Sequence, residues 1–365
     1  MESRSSGAWA GAAYGLTAAA LFGLSAPLAR QLLAQCPPLL LAGLLYLGGG
    51  LGLMLAPRRE AGSEREAPLR RSDVLAVAAI IVLGGMCGPI LMLVGLQHVS
   101  AVTGSLLLNL EGPLTMFLAL AVFGEHLDPR ELSAACLIFA GALVLSASGV
   151  GSGNRWGVAA LALATLSWAI DNNLTQRLSL RDPRQLAQWK TLGAGSLMVV
   201  VAWGMGQSLP QAKTTAAALL VGTASYGISV IFDIRALRLL GAARESAYFA
   251  TAPFIGALGA VLLTGESFGP GQGLATLLMA TGVVLLFTER HQHEHLHDAL
   301  VHEHRHSHDQ HHDHPHAPAD PPGPVHSHVH RHEPLRHSHA HVSDAHHRHS
   351  HGQASAVGKV GAGAT

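Results

Sequence analysis

Residues Leu106 to Glu125 read LLLNLEGPLTMFLALAVFGE, an apolar run long enough to cross a bilayer that still carries Asn109, Glu111 and Pro113 in its first half and stops at Gly124-Glu125. If the helix starts near Ala101, a rise of ~1.5 Å per residue puts Glu111 roughly 15 Å along it, close to the middle of a ~30 Å hydrocarbon core. An acid at that depth is costly, so it reads either as part of a substrate or ion pathway or as a protonated acid hydrogen-bonded to a neighbouring helix, with Asn109 half a turn before it.

The pattern returns near the end of the hydrophobic region, where Tyr248 to Glu266 reads YFATAPFIGALGAVLLTGE. Each copy has an apolar segment, a proline (Pro113, Pro253), small and aliphatic residues, then Gly-Glu (Gly124-Glu125, Gly265-Glu266). Upstream, Gly95-Leu96 answers Ala236-Leu237. Downstream, CLIFAGALVLSAS from Cys136 answers TLLMATGVVLLFT from Thr276, and Gly141 and Gly282 lie 141 residues apart, as the two Gly-Glu pairs do. A period that long fits a duplicated membrane half rather than a solenoid. The chain reads as two copies of one five-helix unit.

Composition agrees. Of 365 residues 49% are hydrophobic and 13% charged, and nearly all the apolar character lies in residues 8 to 289. Glycine, at 41 residues, would weaken a soluble fold but lets membrane helices approach closely, as in Gly11-x3-Gly15-x3-Ala19-x3-Gly23 and Gly84-x3-Gly88. Cys36, Cys87 and Cys136 have neither disulfide nor metal-finger spacing and read as apolar fillers. No nucleophile–base constellation or phosphate-binding glycine loop is present, so catalysis is not expected, nor is a nucleic-acid partner.

Ten spans follow in order: 8–29, 38–56, 73–95, 100–123, 131–148, 156–176, 187–206, 214–234, 244–264 and 270–288. The first is expected to be a retained helix rather than a cleaved signal. With a cytoplasmic N-terminus the inside segments hold fourteen Lys and Arg (Arg4; Arg58, Arg59, Arg65, Arg70, Arg71; Arg130; Arg177, Arg181, Arg184, Lys190; Arg235, Arg238, Arg244) against three outside (Arg30, Arg155, Lys213). Both termini are therefore expected in the cytoplasm and the chain in the inner (plasma) membrane. Five is odd, so the halves insert in opposite senses. The fold class is an all-α polytopic membrane protein of two inverted repeats, 1–149 and 150–290, followed by a tail, 291–365.

Two five-helix halves, a fourth and a ninth helix each ending in Gly-Glu after an internal proline, Trp168-Ala169 in the sixth helix with Phe22-Gly23 in the first copy, and a small-residue helix after each Gly-Glu together resemble the EamA family of the drug/metabolite transporter superfamily. The resemblance covers residues 8 to 289. It implies secondary transport by alternating access, usually export of metabolites, amino acids or toxic organic compounds, and it implies no particular substrate.

Other polar residues inside the spans are weighed beside Glu111. Asp171-Asn172-Asn173, two thirds of the way towards the cytoplasm, either line the inner half of a cavity or mark a helix interface. Asp233, followed by Arg235 and Arg238, falls at the cytoplasmic boundary, where local ion pairing is expected over ligand contact, though it is kept among the candidates for the substrate or ion pathway. Glu125 and Glu266 are expected to bond freed backbone donors around the turn that follows each of them. Met86, Cys87 and Met92 are read as packing.

The tail holds 23 of the 25 histidines, in alternating bursts: His291, His293, His295, His297; His302, His304, His306, His308; His326, His328, His330, His332; then shorter sets. Rich in Asp, Pro and Gly, it cannot bury a core and is expected to be disordered. Alternating imidazoles can gather round Zn²⁺, Ni²⁺, Co²⁺ or Cu²⁺, although no cofactor is required. Two readings stand: an organic-solute exporter whose tail binds metal, and a divalent-metal transporter in which Glu111, Asp171 and His98 line the route. A homodimer is open in either case.

Overall fold

The computed structural model describes residues 2–56, 67–123, 129–147, 154–179, 181–287 and four strands between 292 and 340. Its bundle follows ten helical paths among the described residues, each labelled here as one helix. They are α1 (Glu2–Gly23, resumed at Ser25–Leu32), α2 (Pro38–Leu55), α3 (Val74–Ile80, a π turn Ile81–Cys87, then Gly88–His98), α4 (Ala101–Leu107, a 3-10 turn Leu108–Leu110, then Glu111–Phe123) and α5 (Pro129–Ala147). The second half supplies α6 (Asn154–Arg177), α7 (Pro183–Gly204), α8 (Ala212–Gly222, a π turn Thr223–Ile228, then Ser229–Leu240), α9 (Ala242–Phe249 and Ala252–Thr264) and α10 (Pro270–Phe287). Seven of the ten (α1 to α5, α8 and α9) are long and apolar enough to cross a membrane. Helices α6 and α7 carry the polar residues of the site, and α10 is slightly short.

Two-fold pseudo-symmetry is visible in who packs on whom. α2 packs on α7, α4 on α9 and α5 on α10, while α3 on α6 in one direction becomes α8 on α1 in the other. Small residues make these crossings possible. A Cβ on Gly48 would lie 2.2 Å from the Leu219 carbonyl oxygen, and one on Gly222 1.9 Å from that of Leu45, so backbone meets backbone between α2 and α8. The stripe on α1 also works as read: Gly11 meets Leu240, Gly15 meets Tyr248 and Gly23 meets the Ala252 carbonyl.

The repeats break at matching places, which the spans read from sequence did not anticipate. Shifting by the 141 residues that separate Gly124 from Gly265 carries the π turn of α3 onto that of α8, and the 3-10 turn of α4 onto the break at Ala250 and Thr251 in α9. Each proline then sits where its missing N–H costs nothing, in the first turn of the resumed helix: Pro113 after Glu111, Pro253 after Ala252.

Outward faces carry aliphatic side chains such as Leu55, Leu75 and Leu262, and exposed Trp9, Trp156 and Trp203 lie near helix ends, where tryptophan anchors at a membrane interface. Cys36, in the turn before α2, is buried, and burial pushes its thiol up to about 11. That suits the filler reading.

At one end the halves are tied by Asp73, which accepts from the Arg70 N–H at 2.9 Å and the Arg181 Nε at 2.9 Å. Beyond the bundle, β1 (Gln292–His297) pairs antiparallel with β4 (Leu335–Ala340), and β2 (Leu300–Ser307) with β3 (Val325–His332). The register sets His293 opposite His339, His295 opposite His337, and His302, His304 and His306 opposite His330, His328 and His326. His291 and His308 lie outside the described residues.

Candidate functional site

Glu111 opens the resumed segment of α4, and the break before it gives its side chain a partner on another helix. Asn172 on α6 donates from Nδ2 to Glu111 Oε1 at 2.7 Å. Asn173 next to it ties the same two helices, donating to the Thr115 carbonyl at 3.1 Å and to the Ala169 carbonyl at 2.9 Å. Glu111 is half-buried and Asn172 exposed, so this acid–amide pair is open to a solute.

Trp168, Asp171 and Asn172 stand at i, i+3 and i+4, on one face of α6. Asp171, 4% exposed at its side chain, forms an ion pair through Oδ2 with Lys190 Nζ of α7, while its Oδ1 is buried with no partner among the described residues. A paired charge is how a membrane interior tolerates such residues. Lys190 therefore does not belong with the loop charges that read orientation. It lies two turns into α7, since Asp182 caps that helix four residues before the expected start, accepting from the Arg184 and Gln185 N–H groups at 2.9 and 3.2 Å with Pro183 in the first turn. The Asp182-Pro183 signature was the signal that would have found it.

The π turn of α3 forms the neighbouring wall. Its irregular backbone leaves the Gly84 carbonyl to accept from Trp168 Nε1 at 3.0 Å and Tyr46 Oη at 3.1 Å, and the Leu83 carbonyl to accept from Ser167 at 3.0 Å. Gly84 is needed there: a Cβ would stand 2.1 Å from the Asp171 carboxyl carbon. Tyr46 stacks on Tyr226 of α8 at 5.2 Å, and Phe22 of α1 contacts Tyr226 at 5.9 Å and Phe249 of α9 at 5.2 Å. Aromatic rings from both repeats thus line up beside one ammonium, two carboxyls and two amides. Such a site can hold a small solute by hydrogen bonds and charge at one end and by ring contact at the other.

Other expectations move. Asn109 donates to the Leu106 carbonyl of its own helix at 2.9 Å and lies 3.9 Å from Met279 Sδ, so it serves packing against α10 and does not join Glu111. Glu266 caps a distant helix rather than its own turn: its Oε1 and Oε2 accept from the Ala101 and Val102 N–H groups, each at 3.0 Å. Gly265, left-handed at φ 67°, turns the chain to allow it. Gly124 and Glu125 lie outside the described residues. Asp233 sits apart, beside Glu245. His98 packs beside Gly157, at the opposite end of α6 from Asp171, about 21 Å away by the helical rise. Of the three residues named for a metal route, Glu111 and Asp171 thus share the cluster and His98 does not join them.

The EamA-like transporter family matches this chain twice, over residues 9–147 and 155–288. The chain belongs to the EamA-like transporter family. Relatives are named accordingly. An uncharacterized transporter of Methanothermobacter thermautotrophicus is 29% identical over 290 residues, covering 74% of this chain and 84% of that one. The uncharacterized inner membrane transporter YedA of Escherichia coli K12 is 25% identical over 254 residues, covering 68% and 81%. A crystal structure 20% identical superposes with a TM-score of 0.57 over 75% of this chain and 94% of that one, and shares the fold. This EamA-like chain is a multi-pass membrane protein of the drug/metabolite transporter superfamily, and its two matches bracket the two five-helix halves.

Proposed function

We propose that this EamA-like protein exports small organic solutes, such as amino acids, other metabolites or drugs, across the plasma membrane by alternating access, with both termini in the cytoplasm. The observation that carries the reading is the Glu111, Asn172, Asp171 and Lys190 cluster, set among aromatic rings contributed by both repeats. Rocking of one repeat on the other would open this shared site to either side. The name of the YedA relative supports the inner-membrane location.

The cytoplasmic tail, on the same proposal, collects divalent metal such as Zn²⁺, Ni²⁺, Co²⁺ or Cu²⁺ without being part of the transport site. The strand registers, which set histidine positions opposite one another in each ribbon, support this part of the reading. The experiment is a growth screen of deletion and overexpressing strains against amino acids, drugs and metals, with full-length chain and a chain truncated after Arg290. Overexpression should raise tolerance to one or more organic solutes with either chain, and truncation should alter metal tolerance alone. A core that changes tolerance only to metals would reverse the reading.

A further inference from the structure

The second repeat contains a pair of acids that the solute site does not use. Asp233 lies in the last third of α8, and Glu245 lies in the first turn of α9. At ~1.5 Å per residue they are about 12 and 6 Å from the turn at Gly241 that joins the two helices. Their carboxyl groups are within hydrogen-bonding reach of each other. Glu245 is 8% exposed. Its Oε2 takes a long bond of 3.4 Å from Ser246 Oγ, and its Oε1 is buried with no donor among the described residues. Two bare carboxylates at this separation repel, whereas one proton between them gives an O–H···O⁻ bond and supplies the missing donor.

We propose that Asp233 and Glu245 form a proton-binding dyad, a second site of this transporter, separate from the Glu111 cluster. In one state the dyad holds a single proton and one negative charge. When the proton leaves to water at the Gly241 end of the bundle, two carboxylates remain and the charge becomes −2. No bond other than O–H breaks, and no co-reactant is needed.

Ionisable groups come near the pair from several of the elements packed around it. On α8 the ionisable neighbours are Arg235, whose guanidinium carbon lies 5.6 Å from the Tyr14 ring centre of α1, and Arg238, which is exposed. On α9 they are Arg244, exposed, and Tyr248. Tyr226 in the π turn bonds Ser25 Oγ. From α7, Lys190 is paired with Asp171 and Arg184 bonds the carbonyls of Leu53 and Ala56. Besides Tyr14, α1 carries Glu2 and Arg4 in its first turns and Arg30 at its other end, and α10 has no ionisable residue between Pro270 and Phe287. The dyad is also unduplicated. The 141-residue shift maps Asp233 onto Met92 and Glu245 onto Gly104, just as it maps Glu111 onto Ala252. One repeat holds the solute acid and the other the proton pair.

Infrared difference spectroscopy on the full chain in nanodiscs tests this, since a protonated carboxyl has its own C=O stretch, separate from the imidazoles of the tail. Wild type should show that band at pH 7.5 and lose it on an alkaline jump. The Asp233→Asn/Glu245→Gln double variant should lack one protonated carboxyl per chain, and Glu245→Gln alone, the milder change, should also lose the bleaching component. Glu111→Gln should leave that component in place, which keeps the dyad's fate independent of the solute reading. An unchanged band in Glu245→Gln or the double variant would overturn the proposal.

Discussion

Lys190 and Asp171 are each other's reason for being tolerated in the bundle. Removing the ammonium alone strands a nearly buried carboxylate, a loss of about 3 kcal/mol by comparison with other broken buried pairs. Lys190→Met should therefore lower the melting temperature of the purified protein clearly, and the Asp171→Asn/Lys190→Met double variant should recover most of it. Equal melting of the single variant and wild type would mean that the pair carries no stability. Glu111 was legible at this scale because a lone acid in a 20-residue apolar run has no structural alibi. Lys190 was not, because positive residues near helix ends are also what marks a cytoplasmic loop. Only its place relative to the Asp182 cap separates the two cases. Asn109 misled for the opposite reason: two polar residues at i and i+2 point to different sides of a helix, and it donates back to the Leu106 carbonyl one turn earlier.

Among the elements, Gly-Glu after α9 was readable as a helix stop, but its partner was not, since the donors of Ala101 and Val102 lie 165 and 164 residues away in the chain. With Ser100 capping the Thr103 N–H at 3.1 Å, the carboxylate satisfies the remaining first donors of α4. Glu266→Ala should cost about 1–3 kcal/mol, as a charged cap lost from two donors, and Glu266→Gln should cost less. A thermal-shift measurement checks the order, and Glu266→Ala melting with wild type would reduce the contact to an incidental one. The π turns escaped the sequence altogether. Apolar runs with small residues such as IVLGGMC and TASYGI are as compatible with an ordinary helix, and in the first of them it is Trp168 and Tyr46 that bond the freed Gly84 carbonyl. Gly84→Ala should displace Asp171 and reduce transport strongly, while an alanine at Gly112, which faces open space, should leave it near wild type.

For the whole molecule, the duplication was plain in the sequence because Gly124-Glu125 and Gly265-Glu266 repeat with neighbours in register. The number of helices followed from it, with two five-helix halves giving ten spans. What the sequence could not supply was which helices meet. That depends on glycine faces such as Gly48 and Gly222 finding backbone across the pseudo-two-fold axis. Orientation is a separate matter of charge. With Lys190 removed from the count, thirteen inside positions still oppose three outside, so reporter fusions after Ser72 and after Glu289 should both report cytoplasm, and an outside signal at either would invert the proposed topology.

Export through the site shared by the repeats is tested most directly by efflux of a labelled solute picked out by the growth screen, from cells expressing wild type or Glu111→Gln at equal membrane levels. Neutralising this acid eases insertion while removing the charge that Asn172 presents to the solute. The account predicts that wild type lowers the retained label several-fold and that Glu111→Gln retains as much as cells without the protein. Wild-type efflux from Glu111→Gln would contradict it and reduce the residue to packing.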